Sequence, residues 1–203
     1  MAYQNTAYVG GFDSPVFQSQ AVFKALMDGM AQPGSLQVLD VNVAPPAAMG
    51  VAAGAIALAL CDHDTPVYLS MPLVEAALPA WLAFQTGALV TDDRTEAHLA
   101  FLDVTSCLPP LSTFSAGTQE YPDRSATIVL ELPALSGGEH GYVLEGPGIE
   151  TEATIAPVGL PDSFEDLWRA NGALYPRGVD LILSAGKNML CLPRTTRIRR
   201  GRN

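Results

Sequence analysis

The stretch VAAGAIALALC, residues 51–61, carries no charge and is apolar on nearly every side. At eleven residues, with an internal glycine, it falls short of the roughly 20 apolar residues that cross a bilayer. Together with the preceding AAMG it predicts a helix over 47–61. A helix that is apolar all round must be buried, and a sheet is the surface that can cover it. That requirement points to a layered α/β arrangement.

The flanking segments agree. SPVFQSQAVFKALMDGMAQPG (14–34) reads as a helix, with Ser14 as its cap, Pro15 in its first turn and Pro33-Gly34 as its stop. Val16, Val22, Phe23, Leu26, Met27 and Met30 form its apolar stripe, with Phe17 beside it. SLQVLDV (35–41) reads as a strand before the 47–61 helix, and TPVYLS (65–70) as one after it, entered through the CDHD loop. LVEAALPAWLAF (73–84) is helical with an interruption at Pro79. ALVT, AHLAFLDV, ATIVLEL (126–132), YVLE (142–145), VDLILS (179–184) and NMLCLP (188–193) carry strand propensity. PDSFEDLWRANG starts a further helix, with Asp162 and Glu165 as a capping box and Asn171-Gly172 as its end. Helices and strands alternate early and strands dominate later, so the sheet is of mixed direction. No repeat or low-complexity linker divides residues 1–203, which read as one domain.

Charge narrows the partners. The chain has 11 Lys and Arg against 21 Asp and Glu, and a pI near 4.5, which argues against nucleic acid. The cations are uneven: Arg194, Arg197, Arg199, Arg200 and Arg202 lie in the basic tail at 194–203. That tail is either a solvated end or an anion contact. Cys61, Cys107 and Cys191 form no CxxC pair and read as buried thiols of a reducing compartment. No signal peptide or membrane span is evident, so a cytoplasmic chain is expected.

Several chemistries lack support in the residues. Asp62-His63-Asp64 is the most metal-like cluster, but adjacent loop residues seldom converge on one ion, and no metal is expected. Ser136 and Cys107 lack nucleophile contexts. A pyridoxal phosphate enzyme needs an imine lysine, and neither Lys24, within a helix, nor Lys187, at a hairpin tip, suits that role. Gly146-Pro147-Gly148 begins GxGxxT, with no following helix, and Gly137-Gly138 fits a turn, so LSGGEHGYVLEGPGIE reads as hairpin turns and not as a phosphate cradle.

Seven blocks carry a resemblance. FKALMDGMAQPGS, ALCDHDTPVYLS, QTGALVT, ATIVLELPALSGG, LEGPGIE, LYPRGVDLILS and LPRTTRI, in this order, resemble the PhnH family, the H subunit of the bacterial carbon–phosphorus lyase system. The likeness runs from about Phe12 to Ile198. Lys24 stands where an arginine is common, Gln85 where a histidine often precedes TG, and Arg177 where an apolar residue is usual. The resemblance implies a three-layer α/β sandwich similar to the large domain of pyridoxal-phosphate-dependent transferases, without that cofactor. It also implies a homodimer when isolated, and a core complex with the G, I and J subunits. That machinery transfers ribose triphosphate from ATP to an alkylphosphonate, giving α-D-ribose 1-methylphosphonate 5-triphosphate in the methylphosphonate case. No catalytic residue is carried over.

An accessory subunit with no activity as an isolated chain is therefore the leading expectation. Contact with ATP or alkylphosphonate within the complex would fall first on Arg194, Thr195, Thr196 and Arg197, whose guanidiniums and hydroxyls suit phosphorus oxyanions. Asp64, Thr65, Thr86 and Gly87 are second candidates. The alternatives are a stand-alone nucleotide or phosphoester hydrolase using Asp62, His63 or Asp64, and a ligand-free scaffold.

Overall fold

The computed structural model describes residues 8–201. The chain folds around a seven-stranded sheet. Its strands are β1 (Gln37–Val38), β2 (Val67–Leu69), β3 (Val90–Thr91), β4 (Leu99–Leu102), β5 (Thr127–Glu131), β8 (Asp180–Ala185) and β9 (Asn188–Leu192). They lie in the order β1-β9-β8-β5-β4-β2-β3. The run β8-β5-β4-β2-β3 is parallel, and β9 and β1 join antiparallel at one side. A second sheet, β10-β6-β7, is made by β6 (Tyr142–Glu145), β7 (Ala153–Ile155) and β10 (Arg197–Arg200).

Side-chain alternation divides the interior in two, as a pleated strand requires. On one face Leu99, Phe101, Val129, Ile182, Met189 and Cys191 meet α1 (Pro15–Ala31), α2 (Val51–Leu60) and α4 (Leu78–Thr86). Trp81 of α4 is fully buried there and donates its indole N–H to the Val9 carbonyl at 2.9 Å. On the other face Ala100, Leu102, Ile128, Leu130, Leu181 and Leu183 meet the small sheet and α5 (Phe164–Gly172). Apolar layers thus cover both faces of the sheet, and α2 is the buried helix expected of 51–61. It starts at Val51, four residues later than the apolar run suggests, because Ala48 adopts a φ of 78°. The Gly50 N–H that opens α2 is accepted by Glu131 at 3.0 Å.

Several local expectations change. The stripe on α1 is really two faces. Val22 and Leu26 are buried with Met30 packed beside them, whereas Val16, Phe17, Phe23 and Met27 are more than half exposed. Ser14 makes no side-chain cap; its own N–H is instead accepted by Gln18 Oε1 at 2.7 Å. Pro79 does not interrupt a helix. The break falls at Ala76-Ala77, where Ala77 has φ 60°, and Pro79 sits in the first turn of α4 after the short α3 (Met71–Glu75). Asp162 and Glu165 form no capping box, because both are engaged by Arg200 of β10. Only Gln37–Val38 of 35–41 pairs as a strand. Cys61 and Cys191 are buried, and desolvation first, with a nearby carboxylate adding to it, pushes both thiols up to about 12. Cys107 is exposed, in the loop that leaves β4.

Candidate functional site

The turn after β9 is built from LPRTTRI. The Thr196 N–H closes it by donating to the Pro193 carbonyl at 2.8 Å, and the chain then enters β10 at Arg197. Arg194 points inward and pairs with Asp180 at the start of β8, at 2.5 Å. Its Nε donates to Asp180 Oδ1 at 3.2 Å, Nη1 to the carbonyls of Pro122 (2.7 Å) and Pro176 (3.4 Å), and Nη2 to Asp180 Oδ2 and Ser125 Oγ. A guanidinium has five N–H groups, and all five are used within the chain. Arg194 therefore holds the turn in place and offers no free donor to an incoming anion.

All four members of this group, Arg194 included, line a cleft of 710 Å³. Thr195, Thr196, Arg197 and Ile198 line one wall; Trp168, Arg169, Gly172 and Ala173 at the end of α5, with Tyr175, line the other; Pro147 closes one side. Trp168 ties the walls together by donating its indole N–H to the Thr196 carbonyl at 2.7 Å. Asn171, also at the end of α5, fixes the following loop by bonding both the N–H and the carbonyl of Val179 at 2.9 Å. Pro147 arrives through the GPG turn of LEGPGIE. Gly148 has φ 82°, and a Cβ there would stand 2.0 Å from the Ala31 carbonyl oxygen, so the turn must carry glycine to pass the end of α1.

The basic tail is a strand. Arg197, Arg199 and Arg200 lie opposite Glu145, Val143 and Tyr142 of β6. Arg197 is 3.7 Å from Glu145, Arg199 pairs with Glu145 (3.5 Å) and Glu152, and Arg200 is 3.0 Å from Asp162. Arg202 lies outside the described residues.

The second candidates gather at the amino ends of the parallel strands. Asp62 accepts from the Asp64 N–H (2.9 Å) and the Thr65 hydroxyl (2.7 Å), a compact turn that lowers its pKa, the Thr65 bond being the main cause. Thr86 donates to the Leu82 carbonyl at 2.8 Å, and Gly87 ends α4 at φ 77°, where an added Cβ would stand 3.7 Å from the His63 Cβ. His63 and Asp64 are 3.3 Å apart and largely exposed. Among the described residues no three His, Cys, Asp or Glu side chains are grouped as metal ligands. Thr65 lines a further cleft with His98, Arg124 and Ser125, and Ser125 is also bonded by Arg194; Thr195, Thr196 and Arg197 line the other cleft.

Two carboxylates at the opposite, carboxyl ends of the strands escaped the sequence reading. Asp103, 2% exposed after β4, accepts from Ser70 Oγ (2.6 Å), Thr105 Oγ1 (2.5 Å), the Thr105 N–H (2.8 Å) and Ser106 Oγ. Burial alone would raise its pKa, but these bonds outweigh it and hold the carboxyl at about 2. Glu131, the last residue of β5, is shifted the other way, raised by burial despite the Gly50 and Gly186 N–H groups. The readable signal for Asp103 was DVTS, a carboxylate followed two and three residues later by hydroxyls.

These features define an α/β protein with a mixed, mainly parallel sheet covered on both faces, and with a cleft where its C-terminal turn meets α5. The chain belongs to the PhnH family: the profile described as bacterial phosphonate metabolism protein (PhnH) matches residues 10–199. It is similar to the alpha-D-ribose 1-methylphosphonate 5-triphosphate synthase subunit PhnH of Rhizobium meliloti (strain 1021), 52% identical over 200 residues, which cover 98% of this chain and all of that one. A shorter likeness, 37% over 82 residues and 40% of this chain against 42% of the other, is to HtxG of Stutzerimonas stutzeri, described as a candidate C-P lyase subunit.

Proposed function

We propose that this chain is a subunit of a carbon–phosphorus lyase machinery for phosphonate catabolism, acting with partner subunits in the transfer of ribose triphosphate from ATP to an alkylphosphonate. The observation that carries this reading is the end-to-end match to the R. meliloti synthase subunit. On this reading the chain is cytoplasmic, pairs with itself when isolated, and joins G, I and J subunits. The exposed Val16, Phe17, Phe23 and Met27 face of α1 supports partner contact, since such a surface is usually covered in an assembly. The mainly parallel sheet with covered faces supports the likeness to the large domain of pyridoxal-phosphate-dependent transferases. Within this reading no cofactor is needed: Lys24 is paired with Asp28 on the exposed side of α1, and Lys187 is in the β8–β9 hairpin.

The test is co-expression with the G, I and J subunits. A tagged copy of this chain should bring all three down, and the assembled set with an ATP-dependent partner should convert ATP and methylphosphonate while the chain alone does not. Turnover by the isolated chain that is lost in His63→Ala would instead establish the stand-alone hydrolase.

A further inference from the structure

Thr196 is 3% exposed, and its Oγ1 has no hydrogen-bond partner among the described residues. A buried hydroxyl left unpaired is a net cost to the fold. Its neighbours in the turn are otherwise engaged or exposed: the Thr196 N–H and carbonyl are both bonded, Arg194 is saturated, and Thr195 is exposed. The one unmet donor thus belongs to a residue that lines the 710 Å³ cleft, a volume in the range of small-molecule sites.

Two cations line the same cleft. The side chains of Arg197 and Arg169 are 77% and 67% exposed; Arg197 is 3.7 Å from Glu145, and Arg169 is 2.8 Å from Asp166 and 3.5 Å from Glu165. Such exposed pairs contribute little to stability, so both guanidiniums can exchange a carboxylate for a more highly charged oxyanion at little cost. Arg194, buried and fully bonded, cannot. Tyr175, which also lines the cleft, is 65% exposed and gives an organic group an aromatic surface to lie on.

Deepening the subunit reading above and resting on it, we propose that this cleft receives a phosphate or phosphonate group carried on an organic body. Thr196 Oγ1 is the buried donor, Arg197 and Arg169 neutralise the oxyanion, and Tyr175 is the platform for the body. Arg194 is a positioning residue that holds the turn and the Pro176 loop together.

The test is calorimetric titration of the full chain with ATP, tripolyphosphate, adenosine and methylphosphonate, on the native protein, Thr196→Val and Tyr175→Ala. Thr196→Val keeps the shape and removes only the unpaired hydroxyl, so thermal stability should hold or rise. The proposal expects ATP to bind, with affinity weakened about tenfold or more in Thr196→Val, as for one bond to a charged group. It expects Tyr175→Ala to weaken ATP and leave tripolyphosphate unchanged. If methylphosphonate binds with the same dependence on Thr196, the oxyanion half is confirmed for both sources. Binding that is indifferent to Thr196→Val, or silence with every ligand at millimolar concentration, overturns the proposal. Either result beside intact co-purification with the other subunits would sink this site alone and leave the subunit reading standing.

Discussion

Arg194 and Asp180 form a bidentate ion pair at the root of the cleft, with side chains only 13% and 20% exposed. Asp180 also accepts the Arg194 backbone N–H at 2.7 Å. The pair fastens the end of β9 to the start of β8, and the remaining donors of Arg194 reach the loops at Pro122, Ser125 and Pro176.

Removing one partner of a pair this buried leaves an uncompensated charge. Asp180→Asn and Arg194→Ala should each destabilise the chain by about 3–5 kcal/mol in urea unfolding at neutral pH. Arg194→Lys should recover little, because an ammonium cannot fill a fork of five donors. A loss below about 1 kcal/mol in all three would show that the pair does not hold the turn.

Trp168→Phe keeps most of the buried ring and removes the N–H that meets the Thr196 carbonyl. The orphaned carbonyl predicts a loss of about 1–3 kcal/mol, read as a shift of the urea midpoint with an unchanged slope. Stability equal to that of the native chain would count against the tie between α5 and the turn.

Asp103 predicts an acid-side transition. Its carboxyl sits at about 2 when folded, against an ordinary 3.8, so the stability it contributes is complete above pH 3.8 and drains away as pH falls towards 2. The difference corresponds to about 2 kcal/mol. Asp103→Asn should therefore be clearly less stable than the native chain at pH 7, with the gap narrowing between pH 4 and 2. A gap that stays constant across that window would refute the assignment.

Glu131 has the opposite sign. Burial raises its pKa, so its protonated form is favoured by folding, and stability is lost as pH rises through the folded value. Glu131→Gln still accepts from the Gly50 N–H but carries no charge. Its stability relative to the native chain should rise between pH 4 and pH 8. Glu131→Ala leaves the Gly50 and Gly186 N–H groups without their acceptor and should cost about 1–3 kcal/mol at any pH. A Gln variant as unstable as the Ala variant at pH 8 would contradict this.

The sheet and its buried helix were legible because α2 is apolar all round and β5, β8 and β9 carry unbroken apolar runs. The two faces of α1 were not, since periodicity reports apolar positions without saying which of them another element covers. The cleft was legible in part. Thr196 and Arg197 stand out as polar residues in a strand-like tail, but Arg169 reaches the cleft from α5 and Tyr175 through the bend after it. Arg194 looked like a free cation because its five partners come from residues 14 to 72 positions away in the chain.

Growth measures the central claim most directly. A host lacking its own copy of this subunit should fail to grow with methylphosphonate as the sole phosphorus source, and this chain should restore growth while leaving growth on inorganic phosphate unaffected. Growth of the deleted host without the chain, or no rescue despite expressed, folded protein, would contradict its place in phosphonate catabolism.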